Sequence, residues 1–253
     1  MSEEKALLKT ELLGLSYTCL EKSALVSLLA RLAKEGRFTA VFTPNAVIAA
    51  EAEKSEALKA ILQKADFLLA DGIGVTLASR LSFSPVPPRL TGIDTAEALL
   101  PLLEREGLRL FLYGGKEGVA LAAREAILSK HPRLAIGTHD GYSPGAEEAI
   151  SRFSPHVLFV CLGFPRQERF ILSLREGFDG VAMGLGGCLD AWAGQAMRAP
   201  RVLRRFGLEW LWRTLCEPHR ARRLLPLPRF FWRATLAGGR KLIQKSQKRG
   251  YRI

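Results

Sequence analysis

The chain reads as an α/β fold, a mostly parallel sheet of about six strands with helices on both faces, followed by a basic helical C-terminal appendage. Three observations predict it. Short apolar runs alternate with longer helical patterns from about Thr39 to Gly187. The runs are nearly all apolar, as expected of strands buried on two faces. Beyond Gln195 the pattern changes to arginine, leucine and aromatic residues.

In order, the predicted strands are TAVFT (39–43), DFLLA (66–70), RLFLY (109–113), RLAIG (133–137), HVLFVCL (156–162) and GVAMGL (180–185). Helical patterns fill Ala46 to Lys64, Asp94 to Arg105, Gly118 to Ser129 and Gln167 to Arg175. This alternation is Rossmann-like. In the appendage a helix is expected near Gly207 to Cys216, breaks at Pro218, Pro226 and Pro228, and a second helix from Arg229 to Ile243. The chain divides into an α/β body, residues 1–197, and an appendage, residues 198–253.

With 253 residues, 48% hydrophobic and 25% charged, the chain can bury a substantial core. The net charge of +12 is uneven: residues 198–253 hold 16 Lys or Arg against Glu209 and Glu217, a balance of +14, while residues 1–197 hold 21 against 23. Such a segment meets polyanions: nucleic acid, anionic lipid or substrate phosphates. Phe230, Phe231 and Trp232 beside Arg229 and Arg233 have the composition of an interfacial amphipathic helix. Cys19, Cys161, Cys188 and Cys216 are far apart without CxxC spacing, which argues against a disulfide framework or zinc site and for a reducing, cytosolic setting. The N-terminus is too acidic for a signal peptide, and no run reaches the ~18–20 apolar residues of a membrane span.

Unusual residues cluster where the apolar runs end: Thr43-Pro44-Asn45, Asp71-Gly72, Gly114-Gly115-Lys116, Gly163 to Glu168, and Gly186-Gly187 with Asp190. In open α/β sheets ligands bind outside the carboxyl ends of the strands, so these segments form one candidate site. Gly114, Gly115 and Lys116 stand between a strand and a helix, where backbone N–H groups can hold phosphate, although the loop is not a Walker motif. Gly186 and Gly187 do not complete GxGxxG, since Leu189 occupies the third glycine position. Asp71 reads locally either as a turn or helix N-cap residue or as a reactive carboxylate, and Asp190 competes for that role. Glu168 at a helix start suits the helix dipole. The four histidines lack partner spacing and read as surface or loop residues. No D-x-D pair is present to hold a divalent metal on a diphosphate, which leaves protein cations to neutralise a leaving group.

Together the motifs TPNAVIAAEA, ADGIGV, RLTGIDTAEALL, LYGGKEGVA, LGFPRQERFI, GLGGCLDAWAGQAMRAP and GLEWLWRTLCEPHRARR resemble the WecG/TagA/CpsF family of bacterial glycosyltransferases, from about Thr39 to Trp232. The family's better-known members transfer N-acetylmannosamine from its UDP conjugate to undecaprenyl-diphosphate-linked N-acetylglucosamine, the first committed lipid intermediate of wall teichoic acid. Relatives use UDP-N-acetylmannosaminuronate or another UDP-hexose for other polymers. The resemblance implies an inverting transfer with no metal and no cofactor. It implies Asp71 as catalytic base, Thr43, Asn45, Arg89 and Gln167 in the substrate pocket, and Arg213, Arg220 and Arg223 near the diphosphate. The expected partners are the UDP-sugar, the polyprenyl acceptor and the inner, anionic face of the cell membrane, with weak self-association in solution and no nucleic acid. A nucleic-acid-binding α/β protein with a basic tail is the distant alternative.

Overall fold

The computed structural model of the protein describes residues 9–196, 199–200, 202–203, 207, 209–216, 221–222 and 224–250. It opens with an antiparallel hairpin, β1 (Lys9–Leu12) and β2 (Leu15–Thr18). Its strands, KTEL and LSYT, mix polar and apolar residues, so the apolar-run reading does not contain this hairpin. Helix α1 (Lys22–Lys34) then leads into the main sheet.

That sheet has six parallel strands: β3 (Thr39–Phe42), β4 (Phe67–Leu68), β5 (Leu110–Gly114), β6 (Ile136–His139), β7 (Val157–Cys161) and β8 (Val181–Gly184). Their spatial order is β4-β3-β8-β7-β5-β6. The connecting helices are α2 (Ala46–Lys54), α3 (Glu56–Gln63), α4 (Ile73–Leu81), α5 (Gly92–Glu106), α6 (Val119–Leu128), α7 (Ala146–Phe153), α8 (Arg166–Ser173) and α9 (Cys188–Trp192). Two further helices, α10 (Glu209–Cys216) and α11 (Leu227–Gly250), lie in the basic segment.

Alternate residues of β3, β4, β5, β7 and β8 feed two cores. On β3, Val41 joins Leu29, Leu99 and Val119 of α1, α5 and α6, while Ala40 and Phe42 join Ala49, Val75 and Ile171 of α2, α4 and α8. Burial on both faces is why the strands read as continuous apolar runs. The second core also takes Phe230, 2% exposed, and Ala234 from α11. Burying a side chain of that size contributes roughly 1.5–3 kcal/mol, so α11 is anchored to the body. Gly238 permits the close crossing, since a methyl there would lie 2.4 Å from the Leu81 carbonyl oxygen at the end of α4. Arg233 also reaches Glu53 of α2 at 2.9 Å.

Five expectations change in detail. The helix expected from Ala46 to Lys64 is two helices, because Ser55 is extended (φ −136°, ψ 111°) and its side chain accepts from Leu58 N to cap α3. The strand expected at 66–70 has only Phe67 and Leu68 in the ladder. The strand expected at 133–137 lies at Ile136–His139, since Arg133 N donates to Glu104 Oε1 and Leu134 N to His131 O, which holds the preceding residues in a turn. Pro228 does not break a helix; it lies in the first turn of α11, where a missing N–H costs nothing. His156 is also no idle loop residue, because its Nδ1 accepts from Arg109 N (3.0 Å) at the start of β5.

Candidate functional site

The spatial order of the sheet sets the segments that follow β4, β3, β8, β7 and β5 side by side at one edge. On the β3 side, Thr43 is buried and its Oγ1 donates to the Gly184 carbonyl oxygen at 2.7 Å, tying the ends of β3 and β8 together. Asn45 is the N-cap of α2: its Oδ1 accepts from Val47 N (3.0 Å) and Ile48 N (3.1 Å). The start of α5 lies over Thr43, since a methyl on Gly92 would come within 3.1 Å of Thr43 Oγ1.

Asp71 follows Ala70 at the end of β4 and is half-buried, with its N–H directed to the Pro44 carbonyl oxygen at 3.4 Å. It is not the cap of the helix behind it. That position belongs to Gly72, at φ 89° and ψ 168°, a backbone region open essentially only to glycine, and a methyl there would meet nothing within 4 Å. Gly72 thus turns the chain into α4, with open space where a side chain on it would stand. Arg89 pairs with Ala70 through a parallel bridge, and Leu90 N donates to Ala70 O (3.1 Å), which sets the arginine one residue from Asp71 across the pairing.

The basic segment also reaches this place. At Gly207 (φ 73°), a methyl would approach Arg89 Nη1 to 2.6 Å and Ile73 Cβ to 2.9 Å. Residue 207 therefore lies against both the expected pocket arginine and the first residue of α4. Arg220 and Arg223 lie outside the described residues, as does the side chain of Arg213.

On the other side, Gly114 (φ 131°) and Gly115 (φ 73°) serve packing first. A methyl at Gly114 would lie 2.4 Å from Cys161 O, one at Gly115 would lie 2.9 Å from Val119, and Gly115 N–H is already directed to Cys161 O (3.3 Å). Lys116, Glu117 and Gly118 are exposed, and Gly118, not the lysine, caps α6. Gly187 precedes α9, with Asp190 in its first turn.

Gln167 joins two of these loops. Only 3% exposed, it accepts at Oε1 from Gly163 N (3.3 Å) and Gly186 N (2.9 Å), and its Nε2 donates to Glu168 Oε1 (2.9 Å). Glu168 is 2% exposed, and its Oε2 has no hydrogen-bond partner among the described residues. Burial pushes its carboxyl above the usual range, against the opposing pull of the Gln167 amide. Reading Glu168 as a helix-dipole residue misses this burial, which arises from tertiary packing.

A further loop, between β6 and α7, is absent from the expected set. Asp140 Oδ1 accepts from Tyr142 N (2.9 Å) and Ser143 N (2.8 Å). The Ser143 hydroxyl and these two N–H groups hold its carboxyl down at about 2. Gly141 N donates to Gly115 O (2.9 Å), which fixes this loop to the Gly114–Gly115 turn. The Asp-Gly and Ser-Pro-Gly pairs were its sequence signal. No group of three or more His, Cys, Asp or Glu placed to hold a metal ion occurs among the described residues.

Residues 10–244 match the model of the glycosyl transferase WecG/TagA/CpsF family. A protein of Bacillus spizizenii named N-acetylglucosaminyldiphosphoundecaprenol N-acetyl-beta-D-mannosaminyltransferase is 38% identical over 195 residues, 75% of this chain and 76% of that protein. Proteins of the same name are 36% identical in Bacillus subtilis, over 75% of this chain and 76% of that protein, and 31% identical in Staphylococcus aureus, over 82% and 83%. The chain belongs to the WecG/TagA/CpsF family of glycosyl transferases.

Proposed function

We propose that the protein transfers N-acetylmannosamine from its UDP conjugate to N-acetylglucosamine linked to undecaprenyl diphosphate, as the names of its Bacillus and Staphylococcus relatives describe for those proteins. One observation carries the chemistry: Arg89 pairs with Ala70, the residue before Asp71, and residue 207 lies against the Arg89 guanidinium, so the segments that carry a carboxylate, a cation and the basic charge adjoin at the end of β4.

In this reading the donor lies across the ends of β8, β7 and β5. Asp71 accepts the proton of the acceptor hydroxyl while that oxygen attacks the anomeric carbon from the face opposite UDP. The new glycosidic bond forms as the bond to the diphosphate oxygen breaks, UDP leaves with the electron pair, and the anomeric configuration inverts. Arg89 supplies positive charge beside the reacting groups, and arginines of the basic segment, Arg213, Arg220 and Arg223 among them, neutralise the diphosphate without a metal ion. Thr43 and Asn45 fix the β3 end against which the sugar lies. Gly186, Gly187, Asp190 and Lys116 border the diphosphate.

The acceptor is held in a bilayer, and no helix among the described residues is long and apolar enough to cross one. We therefore assign the basic segment to peripheral attachment at the inner membrane face. Its charge balance of +14 is joined by exposed Trp210, Leu215, Leu225 and Trp232, and each Lys or Arg near an anionic surface contributes about 1 kcal/mol. Self-association in solution would cover the same apolar side chains. The test is UDP release from a panel of UDP-sugars with a lipid-diphosphate N-acetylglucosamine acceptor. UDP-N-acetylmannosamine is expected to be turned over fastest; preference for another UDP-sugar reassigns the donor, and no release with any of them overturns the reading.

A further inference from the structure

We propose that Glu168 is a positioning residue for the transfer site: its carboxylate holds the Gln167 amide in the orientation that ties the loop after β7 to the loop after β8. The inference rests, for its activity arm, on the transfer reading above. Both loops present N–H groups to Gln167, from Gly163 at 3.3 Å and from Gly186 at 2.9 Å, and both meet the same oxygen, Oε1. A reversed amide would set its NH₂ against two donors, so only one orientation joins the loops. That orientation turns Nε2 inward, where Gln167 is 3% exposed and water cannot replace a lost partner. Glu168 Oε1, at 2.9 Å, is the acceptor.

The carboxylate is an expensive way to supply that acceptor, because Glu168 is 2% exposed and its Oε2 is buried without a partner among the described residues. What it fixes lies in the crevice. Gly163 (φ 76°) and Gly186 (φ 56°) would each meet nothing within 4 Å if they carried a methyl, so both loops line open space. The network continues to β3, since the Gln167 amide lies 2.9 Å from where a methyl on Gly184 would sit and Thr43 donates to the Gly184 carbonyl.

The test combines amide hydrogen exchange at Gly163 and Gly186 with steady-state kinetics on the full chain. Glu168→Met removes the acceptor and keeps the volume; exchange at both glycines is expected to rise about tenfold, with amides of β5 and β8 unchanged, and kcat/KM to fall through a higher KM for UDP-N-acetylmannosamine. Glu168→Gln keeps an acceptor oxygen and is expected to behave as the parent chain in both readouts. The double change Gln167→Glu with Glu168→Gln exchanges donor and acceptor and is expected to keep the glycines protected. Unchanged exchange in Glu168→Met overturns the proposal, as does raised exchange with unaltered kinetics. Should Glu168→Met fail to fold, the double change decides, and lost glycine protection there overturns it. If the parent chain releases no UDP, the transfer reading fails while the exchange measurements still judge the lock.

Discussion

At the β3–β4 end of the crevice, Asp71 follows Ala70, Arg89 pairs with Ala70, Gly72 borders open space, and Gly207 of the basic segment is laid against the arginine. At the β5–β7 end, glycines 114 and 115 are closed in by Cys161 and Val119, and the Gly115 N–H is already bonded. The two ends look alike in sequence, each a short polar turn with glycine after an apolar run. Their difference teaches that a glycine next to a site can be there for two unlike reasons. Gly72 is required by its backbone angles and borders open space; Gly114 is required because a neighbouring strand leaves no room at all.

The largest effect that can break this comparison is at Asp71. Removing a general base typically costs ~10²–10⁴ in rate, so Asp71→Asn is expected to lower turnover by that factor while the calorimetric affinity for UDP stays that of the parent. Near-normal turnover would move the base elsewhere, with Asp190 the next carboxylate to test. Replacing glycines sharpens the contrast. Gly114→Ala combines a 2.4 Å clash with a positive φ and is expected to lower unfolding stability by several kcal/mol. Gly72→Ala meets no atoms and is expected to lose only the backbone term, of order 1–3 kcal/mol. Equal losses in chemical denaturation would show that packing does not separate the two positions.

Gly207→Ala is expected to push the Arg89 guanidinium aside and to lower kcat/KM by about tenfold, since small misplacements at a site cost one to two orders of magnitude. Residue 207 is at φ 73° and a methyl there would approach Ile73 Cβ to 2.9 Å, so the denaturation midpoint is expected to fall as well; kinetics are compared where both chains are folded, and unchanged kcat/KM there would place Arg89 outside the reaction. The smallest effect is a pH dependence at Glu168. Its folded-state carboxyl is raised by burial, so the folded chain binds a proton more tightly than the unfolded chain. The contribution is therefore fully favourable below the ordinary carboxyl value of about 4.3 and is lost as pH rises through the folded value. Glu168→Gln, which carries no charge, should gain stability relative to the parent chain as pH rises over that window. A constant difference across the same pH range would show that burial does not raise this carboxyl.

Much of this was legible in the primary structure. Continuous apolar runs such as HVLFVCL announced strands covered on both faces, and β7 is buried throughout. The edge strand β6 was harder to place, because a strand with one neighbour keeps Thr138 and His139 partly exposed and so lacks a clean apolar run. The helices α1, α4 and α7 carry no start signal in the sequence, because no side chain caps them: Glu21, Gly72 and Gly145 stand at their cap positions. Pro228 misled for a positional reason, since proline ends a helix from its interior but suits its first turn.

By itself the sequence determined the class of the fold, the family, and the residues worth examining at the strand ends, because apolar periodicity and residue type are local properties. Only the tertiary structure decided which of those residues meet. Strand order brings Asp71, Thr43, Gly186 and Gly163 into neighbouring positions although they are far apart along the chain. Packing decides that Glu168 is buried beneath Gln167, that Gly115 has already used its N–H, and that residue 207 rests on Arg89. Burial, pairing and close approach are set by groups distant in sequence, and no reading of a single segment contains them.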